Sequence, residues 1–299
     1  MNRAFIYIFI GATLWGTIGF FVKKLYNHGF SPMEVVTLRV VFAAIILLIY
    51  LQIKSPASLK LKKISDIKYF LGTGIISIIF FNYCMFKTME LATIPISAAL
   101  LYTAPAFVII LSYFLFRERI TIHKAVALFL TINGTAFVVG FIPFQMNSIP
   151  LLTILIGLGS GLGYALYSIF SKFALRKYTS LTITTYTFVT AAIVLIPFFP
   201  FKEKFTELLQ FDVLLNAFAL GIFPTAVAYI VYTYGLNRTE ASKAAIIATV
   251  EPIVATLIGI FVFLEPFNIF QIFGMMLIIL AVIIIQFHSK KISLRKIRQ

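Results

Sequence analysis

The sequence predicts an all-α integral membrane protein whose ten transmembrane helices form two inverted five-helix repeats. Three observations carry that expectation. Hydrophobic residues make up 61% of the 299 positions, charged residues only 12%, and mean hydropathy is +1.02. A soluble core of this size needs a far more polar surface. The apolar residues also fall into ten runs long enough to cross a hydrocarbon layer, which takes roughly 20 residues each. Finally, the second half repeats the first. Leu101-Tyr102-Thr103-Ala104-Pro105 aligns with Ala248-Thr249-Val250-Glu251-Pro252, and Glu118 with Glu265, in each case 147 positions later. Five is odd, so the second copy enters the membrane upside down, an architecture that secondary transporters use.

The first repeat is expected over residues 1–142, the second over 150–287, and a basic tail over 288–299. Lipid offers an open backbone no partners, so each long apolar run has to be a helix. The first span, 4–22, follows Arg3 and stops at Lys23-Lys24. It is long enough to cross and lacks a small-x-small cleavage site, so it reads as a retained helix rather than a signal peptide. Spans 34–51 and 67–86 follow, and 94–115 is interrupted by Pro105. The turn Arg117-Glu118-Arg119 leads into 122–142. In the second half, 150–171 carries the run Gly157 to Gly163, whose small residues at i and i+4 suit close helix packing. That run has no preceding strand and no following acidic partner, so it is not a dinucleotide fingerprint. Spans 180–199, 213–235 (holding Pro224), 241–263 (broken at Pro252) and 267–287 complete the set. The prolines are expected to kink or break their helices.

Charge fixes the expected orientation through the positive-inside bias. With the N-terminus inside, the cytoplasmic segments hold 19 Lys and Arg residues and the external loops 5, namely Lys23, Lys24, Lys87, Lys202 and Lys204. Arg39 lies within a span. Both termini are therefore expected in the cytoplasm, in a bacterial inner membrane. The net charge of +15 is explained by these loops and does not imply a nucleic-acid partner. The single cysteine, Cys84, excludes an internal disulfide and argues against a Cys-ligated metal.

Leu14-Trp15-Gly16 followed by Lys23-Lys24, Arg39 in the second span, the Ala-Pro and Glu-Pro breaks, and the closing Glu118 and Glu265 together resemble the drug/metabolite transporter superfamily, most closely its EamA family of ten-helix exporters. The resemblance covers nearly the whole chain. It implies a central cavity lined mainly by spans 1, 3, 4, 6, 8 and 9 and used in alternating access. The family usually places Gly before the closing glutamate, where this sequence has Arg117 and Leu264.

Glu251 is the sharpest candidate for chemistry. It lies mid-span in Ile246-Ile247-Ala248-Thr249-Val250-Glu251-Pro252, and an ionisable group at that depth is costly and marks a functional site by default. Its expected role is proton or cation coupling, set against a structural role bonding a broken-helix backbone; Pro105 and Pro252 mark the helix breaks. Trp15, Tyr83, Tyr102, Tyr164 and Tyr229 are candidate substrate contacts, because an aromatic ring with a polar tip suits an amphipathic solute, and Tyr167 and Tyr232 share that character. Asn82 joins the candidates as a polar residue within an apolar span, as Asn133 also is. Arg39 is expected to be structural, by snorkelling or pairing with an acid, and Glu118 and Glu265 to cap the helices that follow them. The sequence holds no nucleotide-binding loop, zinc constellation or buried triad, so no cofactor, metal or enzymatic activity is expected. The expected function is export of a small metabolite, such as an amino acid, by alternating access. Import or exchange of a cationic or aromatic solute, a membrane sensor or scaffold, and a channel are the alternatives.

Overall fold

The computed structural model describes residues 3–92, 94–139, 141, 150–264 and 268–297, and among them there is no β-strand. Nine of the described helical segments are long and apolar enough to cross a membrane: Arg3–Asn27, Pro32–Lys54, Ile64–Leu91, Ile96–Phe116, Leu151–Ala174, Ser180–Phe198, Phe211–Leu236, Ala241–Phe263 and Ile269–Gln286. Ile122–Val138 is shorter and occupies the fifth place. The protein is thus an all-α, multi-pass membrane protein with five helical spans in each repeat, numbered here 1 to 10 in chain order.

Local sequence sets the helix starts. Span 2 begins with a capping box, in which the Ser31 hydroxyl accepts the Glu34 N–H and the Glu34 carboxylate accepts the Ser31 N–H at 2.8 Å. Pro32 sits in its first turn, where a missing N–H costs nothing. Thr121 and Thr179 cap spans 5 and 7 by accepting the N–H groups of Lys124 and Thr182.

The 147-residue duplication is visible in the irregularities. Span 4 divides into Ile94–Leu101 and Ala104–Phe116, and span 9 into Ala241–Ala248 and Glu251–Phe263. Both breaks are tight i→i−3 turns, with Thr103 N–H donating to Leu100 O at 3.2 Å and its repeat counterpart Val250 N–H to Ile247 O at 3.3 Å. A threonine hydroxyl braces each turn, Thr103 donating to Leu100 O and Thr249, one position out of register, to Ile246 O, each at 2.6 Å. Pro105 and Pro252 fall in the first turn of the helix that restarts, where no donor is needed. Spans 3 and 8 widen into π-helical segments at Gly72–Ile79 and Ile222–Val227. In span 8, Pro224 cannot donate, and the Thr225 hydroxyl donates to Leu220 O at 2.8 Å. Insertions of this kind concentrate at functional sites.

The packing follows a pseudo-two-fold. Span 1 packs on span 8 as span 6 packs on span 3, span 9 packs on span 1 as span 4 packs on span 6, and spans 2 with 7 and 5 with 10 pair across the axis. The glycine run of span 6 does pack helices. A Cβ on Gly161 would lie 2.7 Å from Thr103 Oγ1 and 2.9 Å from Leu100 O, so the absence of a side chain seats span 6 on the broken turn of span 4.

Spans 4 and 9 end at Arg117 and Leu264, each with φ of 55°. These are the two positions where the family resemblance expects glycine, and the backbone shows why: left-handed geometry costs an L-residue about 1–2 kcal/mol. Glycine there relieves the strain while adding unfolded-state entropy. Leu264 is 85% exposed, so truncation removes little packing. Leu264→Gly is therefore expected to stabilise the protein by up to about 1 kcal/mol, read as a raised thermal-unfolding midpoint in detergent. A lower midpoint would refute it.

Candidate functional site

The side chains of spans 1, 3, 6 and 8 converge on Trp15, which is 4% exposed. Its ring lies 4.8 Å from Tyr232, 4.9 Å from Tyr229 and 5.9 Å from Tyr164, measured between centroids. Tyr167 and Phe188 meet Tyr229 edge-on at 4.8 and 5.0 Å, and Phe81 meets Tyr164 at 5.8 Å. Such edge-to-face contacts place the electropositive ring rim on the neighbouring π face. Most of the polar tips find partners. The Tyr164 hydroxyl donates to Glu251 Oε2 at 2.9 Å, Tyr167 bonds Thr233 at 2.7 Å, and Tyr232 bonds Ser168 at 2.8 Å.

Two small cavities share Tyr164, Ser168 and Tyr232 as a common wall. The first is closed by Trp15, Ser77, Phe81, Tyr167 and Tyr229. The second runs along the broken turns of spans 4 and 9, past Tyr102, Pro105, Ala248 and Thr249. Both are narrow enough that only water-sized groups fit, so the centre is occluded in this conformation.

Trp15, Tyr102, Tyr164 and Tyr229 are thus brought together, with Glu251 tied to them through Tyr164. Asn82 and Tyr83 are not on either cavity wall. Asn82 is 2% exposed, and its amide donates to Ile78 O at 2.7 Å, satisfying a carbonyl beside the π segment. Tyr83 is 57% exposed on the outer face of span 3. The reason is helix phase: Ser77 and Phe81, one turn apart, point inward, and Tyr83 lies round the helix from them. Sequence reading missed Ser77, Phe81 and Ser168. The i, i+3, i+4 spacing of Tyr164, Tyr167 and Ser168 was the available signal. Asn133 donates to Phe129 O within its own helix at 2.8 Å.

Arg39 does not snorkel. It is 4% exposed, and its Nε and Nη2 have no hydrogen-bond partner. It lies within electrostatic reach of Tyr229, Glu251 and Tyr26.

Glu118 caps a helix, but not the one that follows it, where Thr121 does that work. Its Oε1 accepts the Ala241 N–H at 2.8 Å, and its Oε2 accepts the Ser242 N–H at 3.3 Å and the Ser242 hydroxyl. The first repeat thereby caps the first half of span 9 in the second repeat. Around this latch, Lys124 reaches Glu240 at 2.7 Å and Glu118 at 3.6 Å, Lys243 reaches Glu240 at 3.3 Å, and Lys172 donates to the carbonyls of Leu236 and Thr239. Burial works to raise the Glu240 carboxyl, but the hydrogen bond from Lys124 and the charges of Lys243 and Lys124 outweigh it and hold it below the usual value. A depressed carboxylate adds stability that is present above its unfolded value and is lost only as pH falls through the lower folded one. Glu265 lies outside the described residues. Among those residues no group of His, Cys, Asp or Glu is placed to hold a metal.

The EamA-like transporter family profile matches residues 2–140 and 151–287. An uncharacterized transporter of Archaeoglobus fulgidus is 29% identical over 93% of this chain and 94% of its own. The uncharacterized transporter YyaM of Bacillus subtilis is 27% identical over 92% and 89%. A solved crystal structure superposes with a TM-score of 0.79 at 16% identity, covering 98% of this chain and 99% of the other, which speaks for the fold alone. With both repeats matched and the ten-helix architecture in place, the chain belongs to the EamA-like transporter family.

Proposed function

We propose that this transporter exports a small metabolite, such as an amino acid, by alternating access, and that Glu251 couples the movement to a proton or other cation. The observation that carries the proposal is the Glu251 carboxylate at the broken turn of span 9, bonded to Tyr164 beside two small cavities in an aromatic centre. A carboxyl at that depth can exchange a proton as the site alternates between water and apolar surroundings. The two inverted repeats supply the moving parts, rocking about a site near the midplane. The protein sits in a bacterial inner membrane with both termini cytoplasmic, its partners being lipid and a small solute. The cross-repeat latch at Glu118 then closes the cytoplasmic route.

Purified protein screened by thermal shift against a metabolite library identifies the solute class. Proteoliposomes loaded with the hits test the rest. An imposed pH gradient is expected to drive accumulation against the solute gradient, and loss of that drive on adding a protonophore confirms the coupling. Saturable flux insensitive to the gradient would reject it. The ring of aromatic side chains beside a carboxylate also suits a second reading, import or exchange of a cationic or aromatic solute through cation–π contacts. Competition among choline-like, purine and amino-acid panels separates the two.

A further inference from the structure

The hydroxyls of Tyr164, Tyr167 and Tyr232 are paired, whereas two other polar groups of the centre are not. Trp15 and Ser77 line the first cavity together with Tyr229, and neither Trp15 Nε1 nor Ser77 Oγ has a hydrogen-bond partner. Arg39, within electrostatic reach of Tyr229 and Glu251, has two unpaired nitrogens of its own, so neither group hydrogen-bonds to them. The three residues are 4%, 0% and 4% exposed. An indole N–H and a guanidinium can only donate, and a hydroxyl can do so. Buried donors are almost always satisfied, because leaving one unmet costs its full desolvation. The partner required here is therefore an acceptor. Glu251 offsets part of the Arg39 charge but leaves two of its nitrogens without an acceptor, so a negatively charged acceptor remains the favoured one.

We infer that this wall is a carboxylate subsite: Trp15 Nε1 and Ser77 Oγ donate to a carboxylate of the transported solute, and Arg39, within electrostatic reach of the wall at Tyr229, supplies positive charge as a positioning residue. The aromatic rings of Tyr164, Tyr229 and Tyr232 take the carbon skeleton. The assignment rests on the transporter reading, since the occupant is the cargo. It also inverts the expectation for Arg39, which the sequence marks as a structural residue.

Full-length protein in nanodiscs tests the subsite with two probes that share a ring and chain, 3-phenylpropionate and 3-phenylpropan-1-ol. The wild type is expected to bind the carboxylate more tightly. Ser77→Ala removes one donor while keeping the shape of the wall, and Trp15→Phe removes the other while also shrinking the ring that packs on Tyr164, Tyr229 and Tyr232. Each is expected to weaken 3-phenylpropionate about tenfold or more, and Ser77→Ala to change the alcohol by no more than about threefold, as loss of a hydrogen bond to a charged group implies. Arg39→Gln is expected to weaken the carboxylate further, with the same insensitivity for the alcohol. Without ligand, Ser77→Ala is expected to melt at or above the wild-type temperature, because an unmet buried donor is gone. That readout keeps the test valid even if Arg39→Gln or Trp15→Phe folds poorly. Failure of the wild type to bind 3-phenylpropionate, or equal weakening of both probes in Ser77→Ala, overturns the subsite. Metabolite flux that persists unchanged in Ser77→Ala proteoliposomes removes the subsite and leaves the transporter reading standing, so the two failures are distinguishable.

Discussion

Glu251→Gln is expected to abolish pH-gradient-driven accumulation in proteoliposomes while keeping downhill exchange within about tenfold of the wild type. The glutamine oxygen can still accept from Tyr164, which sits 2.9 Å from the native carboxylate, so the local packing survives at a cost of about 1 kcal/mol. What disappears is the only proton-exchanging step that we assign to the centre. The repeat makes the substitution a sharp one. The position 147 residues earlier is Ala104, in a turn of the same geometry, so no symmetry-related acid can take over. Accumulation that persists with an unaltered pH profile would reduce Glu251 to a structural bond across the broken turn of span 9.

Depth in the membrane was legible in this sequence, and azimuth was not. A hydrophobic run marks a span whether its face meets lipid or protein, because both are apolar, so ten spans and their two broken turns could be placed without any knowledge of helix rotation. Tyr83 shows the consequence: it is polar-tipped and mid-span, yet it faces outward, while the unremarkable Ser77 and Phe81 on the same span line the cavity. Arg39 was hidden for a related reason. A long side chain five residues into a span can reach the interface or stay inside, and only the packed structure decides which. Glu118 was recognised as a cap from its place at a turn. Its true partner lies 123 residues away in the other repeat, a separation that local spacing rules do not cover. In sequence, Arg117 and Leu264 depart from the glycine that the family usually places before the closing glutamate. The backbone keeps the left-handed geometry at both, so the motif's shape is retained and only its strain differs.

Glu118→Ala is expected to open the side of the centre where Glu118 lies, which the proposed orientation makes the cytoplasmic one. The carboxylate binds two backbone N–H groups at the head of span 9 and the Ser242 hydroxyl, and its side chain is only 8% exposed. Losing it leaves those donors unmet and removes one of the two carboxylates that face Lys124, which is itself 4% exposed. Hydrogen bonds to a charged group are worth about 1.5–3 kcal/mol each and do not add fully, so a net shift of about 3 kcal/mol is reasonable. That corresponds to on the order of a hundredfold change in the balance between closed and open forms. The open form is stabilised because water there satisfies the freed groups, whereas the closed interface cannot. A single reporter cysteine at Ala245, on the wall of the second cavity, placed in a Cys84→Ala background, reads this directly. Its labelling by a membrane-impermeant maleimide applied from the cytoplasmic side is expected to rise roughly a hundredfold in Glu118→Ala, with labelling from the opposite side falling. Glu118→Gln, which keeps an acceptor but not the charge, should lie between the two. Equal labelling in all three proteins would mean that the cross-repeat cap holds span 9 in place without gating it.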